Sequence, residues 1–353
     1  MFESSEIPKT TSILYPENNK EYMNNDYEVG VIGGGPAGLT TALYTTRLGH
    51  DTVVFDRGGG RCAMMADTHN VIGIPEETSG VEFLQTAQQQ VKDYGADYKR
   101  RTVTGVSKIG GGEVGFAVES ENDTFSAERL VIATGFSDEH PPSPSPRTGR
   151  GLHYCVHCDA YMFVDESVYV MGHGDSAAHV AMIMLNFTED VDILLRGEEP
   201  TWSEKTEEKV QAHPIDIVEE EIVGVNNGDD GWLESLEFED GVERNYKGGF
   251  AMYGSKYNNK LASDIGCELN DDGSVSVDDH GQTTTDGAYA VGDLTDGHNQ
   301  IPVRMGQGAK AGIDIHYELR KYPRDAHEVS DTSELSIPSI SDELMRKAKE
   351  HGN

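Results

Sequence analysis

Two cysteines separated by two residues, Cys155-Val-His-Cys158, with Asp159 directly after them, carry the clearest chemistry in this chain. Thiols at that spacing can close a disulfide across one turn, above all at a helix start, where a thiolate is stabilised and exchange is fast. A pair that cycles in this way passes two electrons to an external disulfide. His153 and His157 sit among the thiols, so a metal site is a second reading, although four donors within six residues close a tetrahedron poorly. A buried, inert pair is the third. The two histidines are expected as surface residues or modest electrostatic neighbours of the thiols, and Cys62 and Cys267 as structural thiols.

A second kind of chemistry is written in glycine. Gly33, Gly35 and Gly38, in Gly33-Gly-Gly-Pro-Ala-Gly38, stand at G-x-G-x-x-G spacing between an apolar run from Glu28 and a helical pattern through Leu39, Ala42, Leu43 and Arg47. The first glycine permits a tight turn, the second lets a pyrophosphate approach the backbone, and the third lets helix and strand pack closely. The helix start adds free N–H groups and the positive end of a dipole. Asp56 ends the next strand, Asp51-Thr-Val-Val-Phe-Asp56, where a carboxylate would bond an adenosine ribose. This is a β-α-β dinucleotide site. A second such unit runs from Ser167-Val-Tyr-Val-Met171 through Gly172-His-Gly-Asp-Ser-Ala177 to a helix ending near Asn186 and a strand Val191–Leu195. Gly172, Gly174 and Ala177 there give G-x-G-x-x-A.

The elements that must position these groups follow from period and punctuation. A helix is expected over about 81–94, with Val81, Leu84, Ala87 and Val91 on one face, then a hairpin-like stretch from Thr102 to Ala127 and a strand Leu130–Gly135. Pro141–Pro146 reads as a connector, and a late helix as covering about Gly306–Leu319. The first 26 residues read as a polar arm, and the end as an acidic tail with one amphipathic piece, Asp342 to Glu350. At 353 residues the chain is long enough for two or three domains. With 62 acidic against 28 basic residues it carries a formal charge of −34, which argues against nucleic acid and against an anionic membrane surface. Adaptation to high salt, which screens self-repulsion, accounts for such a balance. No run approaches the roughly 20 apolar residues of a membrane span, no signal peptide is visible, and the expected compartment is the cytoplasm.

The order Gly33-Gly-Gly-Pro-Ala-Gly38, Ala133-Thr-Gly135, Cys155-x-x-Cys-Asp159, Gly172-x-Gly-Asp-Ser-Ala177 and Gly292-Asp293 resembles the low-molecular-weight thioredoxin reductase family over about residues 27–322. The resemblance implies an α/β fold of two Rossmann-like three-layer domains, the second inserted into the first. It divides the chain into an arm (1–26), a discontinuous FAD domain (27–140 and 250–325), an inserted NAD(P)-type domain carrying the cysteines (141–249) and a tail (326–353). It implies FAD on the first motif, at Gly33, Gly35, Pro36, Ala37, Gly38 and Asp56, with Arg57, Arg61, Asn70, Val103, Ala133, Thr134, Gly135, Gly292, Asp293, Asn299 and Gln300 as further contacts. Family members usually have Arg-Gln where this chain has Asn299-Gln300. Cys158 would be the flavin-proximal sulfur, Cys155 its partner and Asp159 the acid–base group that protonates the departing thiolate. Cys62, near the flavin loop, is expected to be the less inert of the two remaining thiols.

The same resemblance puts Gly172, Gly174, Asp175, Ser176, Ala177 and Arg196 forward as NAD(P) contacts. Relatives that use NADPH carry several arginines after the second strand, whereas here the text is Leu195-Arg-Gly-Glu-Glu-Pro-Thr201. Only Arg196 remains, and Glu198 and Glu199 would repel a 2′-phosphate. NADPH is therefore disfavoured, with NADH or ferredoxin as the donors left. The implied activity is a flavoprotein disulfide reductase acting on thioredoxin or a similar small dithiol protein, as a homodimer. Two rivals are a dithiol oxidase using O₂ and a redox-sensing FAD-binding protein without turnover.

Overall fold

A computed structural model describes residues 23–110, 115–121, 123–323 and 340–351. The expected arm therefore lies mostly outside the described residues, as do Gly111 and Gly112 of the hairpin turn. Its last residues belong to the first strand, which begins at Met23 because Met23 to Tyr27 pair with Thr124 to Ala127.

The first sheet runs in the order Asp97–Arg100, Thr52–Asp56, Met23–Ile32, Thr124–Ile132, Phe116–Ser120 and Val103–Lys108. Thr124–Ile132 changes neighbour halfway along. Its first half pairs antiparallel with Phe116–Ser120, and Leu130 to Ile132 pair parallel with Ala288–Ala290 from late in the chain. Side chains alternate between two layers, as a pleated strand requires. Val53 and Phe55 join a core with Val118, Leu130 and Leu261, the last from helix α6 (Lys260–Asp264). Val54 faces the other way, into a core with Leu39 of α1 (Pro36–Arg47), Leu84 of α2 (Gly80–Asp93) and Ile315 of α7 (Ile301–Leu319). Helix α2 starts where Ser79 and Glu82 form a reciprocal capping box. Helix α7 starts five residues before the expected Gly306, right after the extended Gln300, where Pro302 suits the first turn.

The second sheet is parallel throughout: Asp216–Val218, Val191–Leu194, Val168–Met171, Gly248–Ala251, Gly151–His153 and Arg147–Thr148. One face packs under the one-turn α3 (Val156–Asp159), α4 (Asp175–Met184) and α5 (Glu204–Gln211), around Val170, Ala178, Met184 and Phe250. The other is covered by an antiparallel sheet of Ile222–Asn227, Leu233–Phe238 and Glu243–Asn245. All its strands fall between the two parts of the first sheet in sequence, giving two three-layer α/β units. Phe250 and Ala251, expected in the returning FAD segment, are central residues of this second sheet, paired beside Val170 and Met171. The crossing between units is a short ribbon in which Phe136–Asp138 pairs antiparallel with Ser255–Tyr257.

The acidic tail ends in α8 (Asp342–His351), matching the amphipathic piece, which lies against Arg47 and Tyr94 and pairs Lys347 with Asp93 at 3.3 Å. Among the described residues no helix is long and apolar enough to cross a membrane.

Candidate active site

Cys155 and Cys158 are joined in a disulfide, with their Cα atoms 5.3 Å apart. Cys155 is the residue before α3, and its carbonyl accepts the backbone N–H of both Cys158 and Asp159 at 3.1 Å. The expected helix is thus a single turn, continued by a 3₁₀ turn over Ala160–Phe163. The disulfide does not face solvent alone. The side-chain amide nitrogen of Gln300 stands 3.4 Å from Cys155 Sγ and 3.7 Å from Cys158 Sγ, and its oxygen accepts from Asn70 Nδ2 at 2.8 Å. Two sequence-predicted cofactor residues, 230 positions apart, therefore meet, and one of them, Gln300, touches the sulfurs. His157 is exposed as expected, but His153 is not: it is 7% exposed, because its strand places it beside Phe250 with Phe163 edge-on to its ring. Its Nδ1 lies 2.8 Å from Asp159 Oδ2. Among the described residues no group of three or more His, Cys, Asp or Glu side chains is placed to hold a metal.

The first glycine loop is shaped for a dinucleotide. Gly33 has φ +115°, and a Cβ there would stand 2.2 Å from the Ala133 carbonyl; a Cβ at Gly38 would stand 2.1 Å from the Gly33 carbonyl. Strand, loop and helix are that close. Gly35 caps α1 ahead of Pro36 and Ala37, and no heavy atom lies within 4 Å of where its side chain would point, so the N–H end of the helix opens onto free space. Asp56 ends its strand as predicted and gathers protein donors: Gly34 and Gly58 N–H on Oδ1, Tyr98 hydroxyl and Arg100 on Oδ2. Burial, then the bond to Asp56, pushes the Tyr98 phenol well above its usual range. Arg57 is exposed and Val103 half-buried at the start of its strand. Thr134 exchanges two hydrogen bonds with Asn258 across the ribbon, after which Gly135 turns with φ +62°. Arg61 is turned to Asp138 at 2.8 Å and lies over the Phe136 ring. It fastens the ribbon to the first unit.

At the far end, Gly292 N–H is held by Gln307 at 3.1 Å, and Asp293 is paired with Arg304 Nε at 2.9 Å. Arg304 is 3% exposed and also donates to the Thr295, Asp296 and Gly297 carbonyls, to Gln307 and to Asn299. One guanidinium thus shapes the loop between the predicted cofactor residues Asp293 and Gln300. Arg304 escaped the sequence reading, yet a signal exists: it falls on the buried stripe of α7 with Gly308, Ala311 and Ile315. A lone arginine on an apolar stripe must be satisfied by something. Cys62, expected to be less inert, is pushed up to about 12 by burial and then by the charge of Asp293. The open helix end, the close glycine turn and the loop carrying Asp293 fit FAD, which Gly33–Gly38, Asp56, Ala133–Gly135 and Asp293 would hold.

The second glycine motif is tied to its own neighbours at Asp175 and His173. Gly172 has φ +140° and Gly174 caps α4, as a nucleotide loop requires. However, Asp175 accepts from the Thr206 hydroxyl at 2.6 Å and from Ser203, bonds that hold its carboxyl below the usual range. Ser176 and Ala177 continue the helix, and Thr201 N–H donates to the His173 carbonyl at 2.7 Å. Arg196, the predicted phosphate contact, is not available. Its side chain is 1% exposed, its Nε donates to Glu221 at 2.8 Å and its Nη1 to the Pro142 carbonyl at 2.6 Å. Glu198 and Glu199 are the charges left in the open there.

Comparison with known proteins places this geometry. The family model for pyridine nucleotide-disulphide oxidoreductases matches residues 27–308. The chain is similar to the thioredoxin reductase of Helicobacter pylori, 28% identical over 304 residues that span 82% of this chain and 97% of that protein. A thioredoxin reductase of Peptoclostridium acidaminophilum is 29% identical over 77% of this chain and 90% of its own length. Among solved structures, the thioredoxin reductase of Streptococcus pyogenes MGAS5005 superposes with a TM-score of 0.77 at 25% identity, covering 84% of this chain and 99% of that one. A disulfide in the second unit, seated on residues of the first, together with these likenesses, leads to one conclusion: the chain belongs to the pyridine nucleotide-disulphide oxidoreductase family, in the low-molecular-weight thioredoxin reductase group, with FAD as its cofactor.

Proposed function

We propose that this protein is a cytoplasmic, homodimeric disulfide reductase whose Cys155–Cys158 pair carries electrons to a protein disulfide, thioredoxin or a small protein like it. The observation that carries the reading is the seating of the disulfide on Gln300, itself held by Asn70, both residues of the FAD unit. FAD bound at the first glycine loop would supply the electron pair that opens the disulfide. The Gln300 amide then holds the sulfurs in register with the cofactor, and Asp159 gives a proton to the departing thiolate. The dithiol attacks the partner's disulfide, one mixed S–S bond forming and then breaking, so that the partner leaves with two thiols and Cys155–Cys158 is restored.

The input is proposed to differ from that of NADPH enzymes. The supporting observation is Arg196, buried on Glu221 and Pro142, with Glu198 and Glu199 in its stead. NADH or a ferredoxin is the donor. The test is an anaerobic titration of the holoprotein at high salt, following flavin absorbance. Bleaching by NADH or reduced ferredoxin but not NADPH is expected, and rapid bleaching by NADPH would overturn the donor assignment. Cys155→Ser and Cys158→Ser should each abolish disulfide reduction with FAD still bound; retained turnover would sink the mechanism.

A further inference from the structure

We propose that His153 is a positioning residue for proton transfer at the disulfide: it donates its Nδ1–H to Asp159 Oδ2 and leaves Oδ1 as the oxygen that exchanges a proton with sulfur. The inference rests on the reading above for its role in turnover, but its geometry stands apart from any donor or partner.

His153 is 7% exposed, its Nδ1 lies 2.8 Å from Asp159 Oδ2, and its Nε2 is buried with no hydrogen-bond partner. Its surroundings on that side are aromatic: the Phe163 ring is 5.4 Å away at 83°, and the Phe250 ring is 6.0 Å away. A hydrogen on Nε2 would bury a donor with nothing to accept it and turn the Nδ1 lone pair toward a carboxylate. A hydrogen on Nδ1 leaves only an acceptor unmatched, the cheaper of the two defects. The ring is therefore a fixed donor to Oδ2, wedged by two phenylalanines. The Asp159 backbone is fixed as well, through its N–H to the Cys155 carbonyl at 3.1 Å. With both ends of the residue held, the carboxyl group keeps one rotamer. At 24% exposure of its side chain, directly after Cys158 in the chain, it retains access to water.

The step balances as follows. When the S–S bond breaks, two electrons and two protons make two thiols; one proton arrives with the electron pair and the other comes from Asp159 Oδ1. The carboxylate so formed is steadied by the Nδ1–H of His153. When the dithiol closes on the partner's disulfide, the attacking thiol returns its proton to Oδ1 as the mixed S–S bond forms; the second thiol's proton goes to the first partner sulfur released, and the last partner thiolate takes its proton from water.

Two measurements on the full-length holoprotein test this. In protein labelled with ¹⁵N-histidine, the signals absent from His153→Phe should show a protonated Nδ1 and a bare Nε2; the opposite tautomer would overturn the proposal. After reduction with dithiothreitol and its removal, the dithiol is mixed with a small aromatic disulfide and its single exchange is timed. His153→Phe keeps the packing and loses the nitrogen, and should slow exchange by about tenfold or more. His153→Asn, whose amide N–H falls near the Nδ1 position, should stay within about threefold of the parent. Parent-like speed in His153→Phe, or equal slowing in both variants at full FAD content, would refute the role. Because this assay needs neither donor nor thioredoxin, failure of the reductase reading with every donor would leave it intact.

Discussion

Replacing Arg304 with methionine removes the positive half of a pair that is almost wholly inside the protein. The Arg304 side chain is 4% exposed and that of Asp293 22%. Removing one partner of a buried pair costs about 3–5 kcal/mol, because the other charge stays behind without compensation. Three backbone carbonyls, those of Thr295, Asp296 and Gly297, lose a donor too, but Asp296 and Gly297 are exposed, so water replaces part of that loss. The pair therefore dominates, and a loss of about 3–5 kcal/mol is the working figure. At a urea dependence of about 1–3 kcal/mol per molar, the midpoint should fall by at least about 1 M. The choice of probe matters, since Trp202 and Trp232 both lie in the second unit and report on the wrong one. FAD fluorescence, which rises on release, follows the first unit. Arg304→Lys keeps the charge without the planar fork and should lie between parent and methionine variant. In a double-mutant cycle with Asp293→Asn, the coupling should be about 0.5–3 kcal/mol. A loss below about 1 kcal/mol in Arg304→Met, with FAD fully retained, would show that the loop is held by something other than this guanidinium.

Gly38→Ala should purify with reduced FAD, because its methyl would meet the Gly33 carbonyl at 2.1 Å and overpacking there costs about 1–3 kcal/mol; stoichiometric FAD would refute this. Arg196→Gln should leave the response to NADPH unchanged while lowering the melting temperature, as it strips Glu221 and Pro142 of their donor; weakened NADPH binding would return Arg196 to the phosphate site. Burial, then His50 at 3.0 Å, then Arg320 hold His316 below the ordinary histidine range. The unfolded chain therefore binds the extra proton first. His316 contributes stability in full above about pH 6.5, its unfolded value, and this is lost as pH falls from there through the lower folded value. Melting curves between pH 7.5 and 5.5 should be steeper for the parent than for His316→Gln, and equal slopes would refute the assignment.

What could be read in advance divides by distance along the chain. The glycine loop, Asp56 and the cysteine pair are local patterns whose physics needs only a strand, a turn and a helix, and they are where they were expected. Gln300 at the sulfurs needed Asn70 and Cys155 to be brought together from three separate segments, which no local spacing encodes. Arg196 illustrates a harder limit. The residue type suits a phosphate or a carboxylate equally, and only the fold shows that Glu221 and Pro142 have taken it. Of the two places expected for His153, the surface is excluded because the register with Phe250 turns it inward, and an electrostatic neighbour is what it is, beside Asp159. The second sheet's boundary was misplaced by two residues, since Phe250 and Ala251 are as apolar as either sheet would want.

The ribbon of Phe136–Asp138 and Ser255–Tyr257 makes the two units behave as leaves on a pin. Two strands side by side make a narrow connection, and a two-stranded ribbon takes up more twist than a broad sheet does, so a leaf can turn about the pin as well as swing. The pin is also short. Arg61 grips Asp138 from the first leaf and Arg196 grips the Pro142 carbonyl from the second, which leaves Glu139, His140 and Pro141 to bend on that strand. Of these, Glu139 is tied to Gly254 of the other strand, and the His140 ring to the Tyr154 hydroxyl at 2.6 Å. Any movement that carries the disulfide away from Gln300 has to be absorbed in these few residues of the crossing, and its reversal brings the sulfurs back to the same amide.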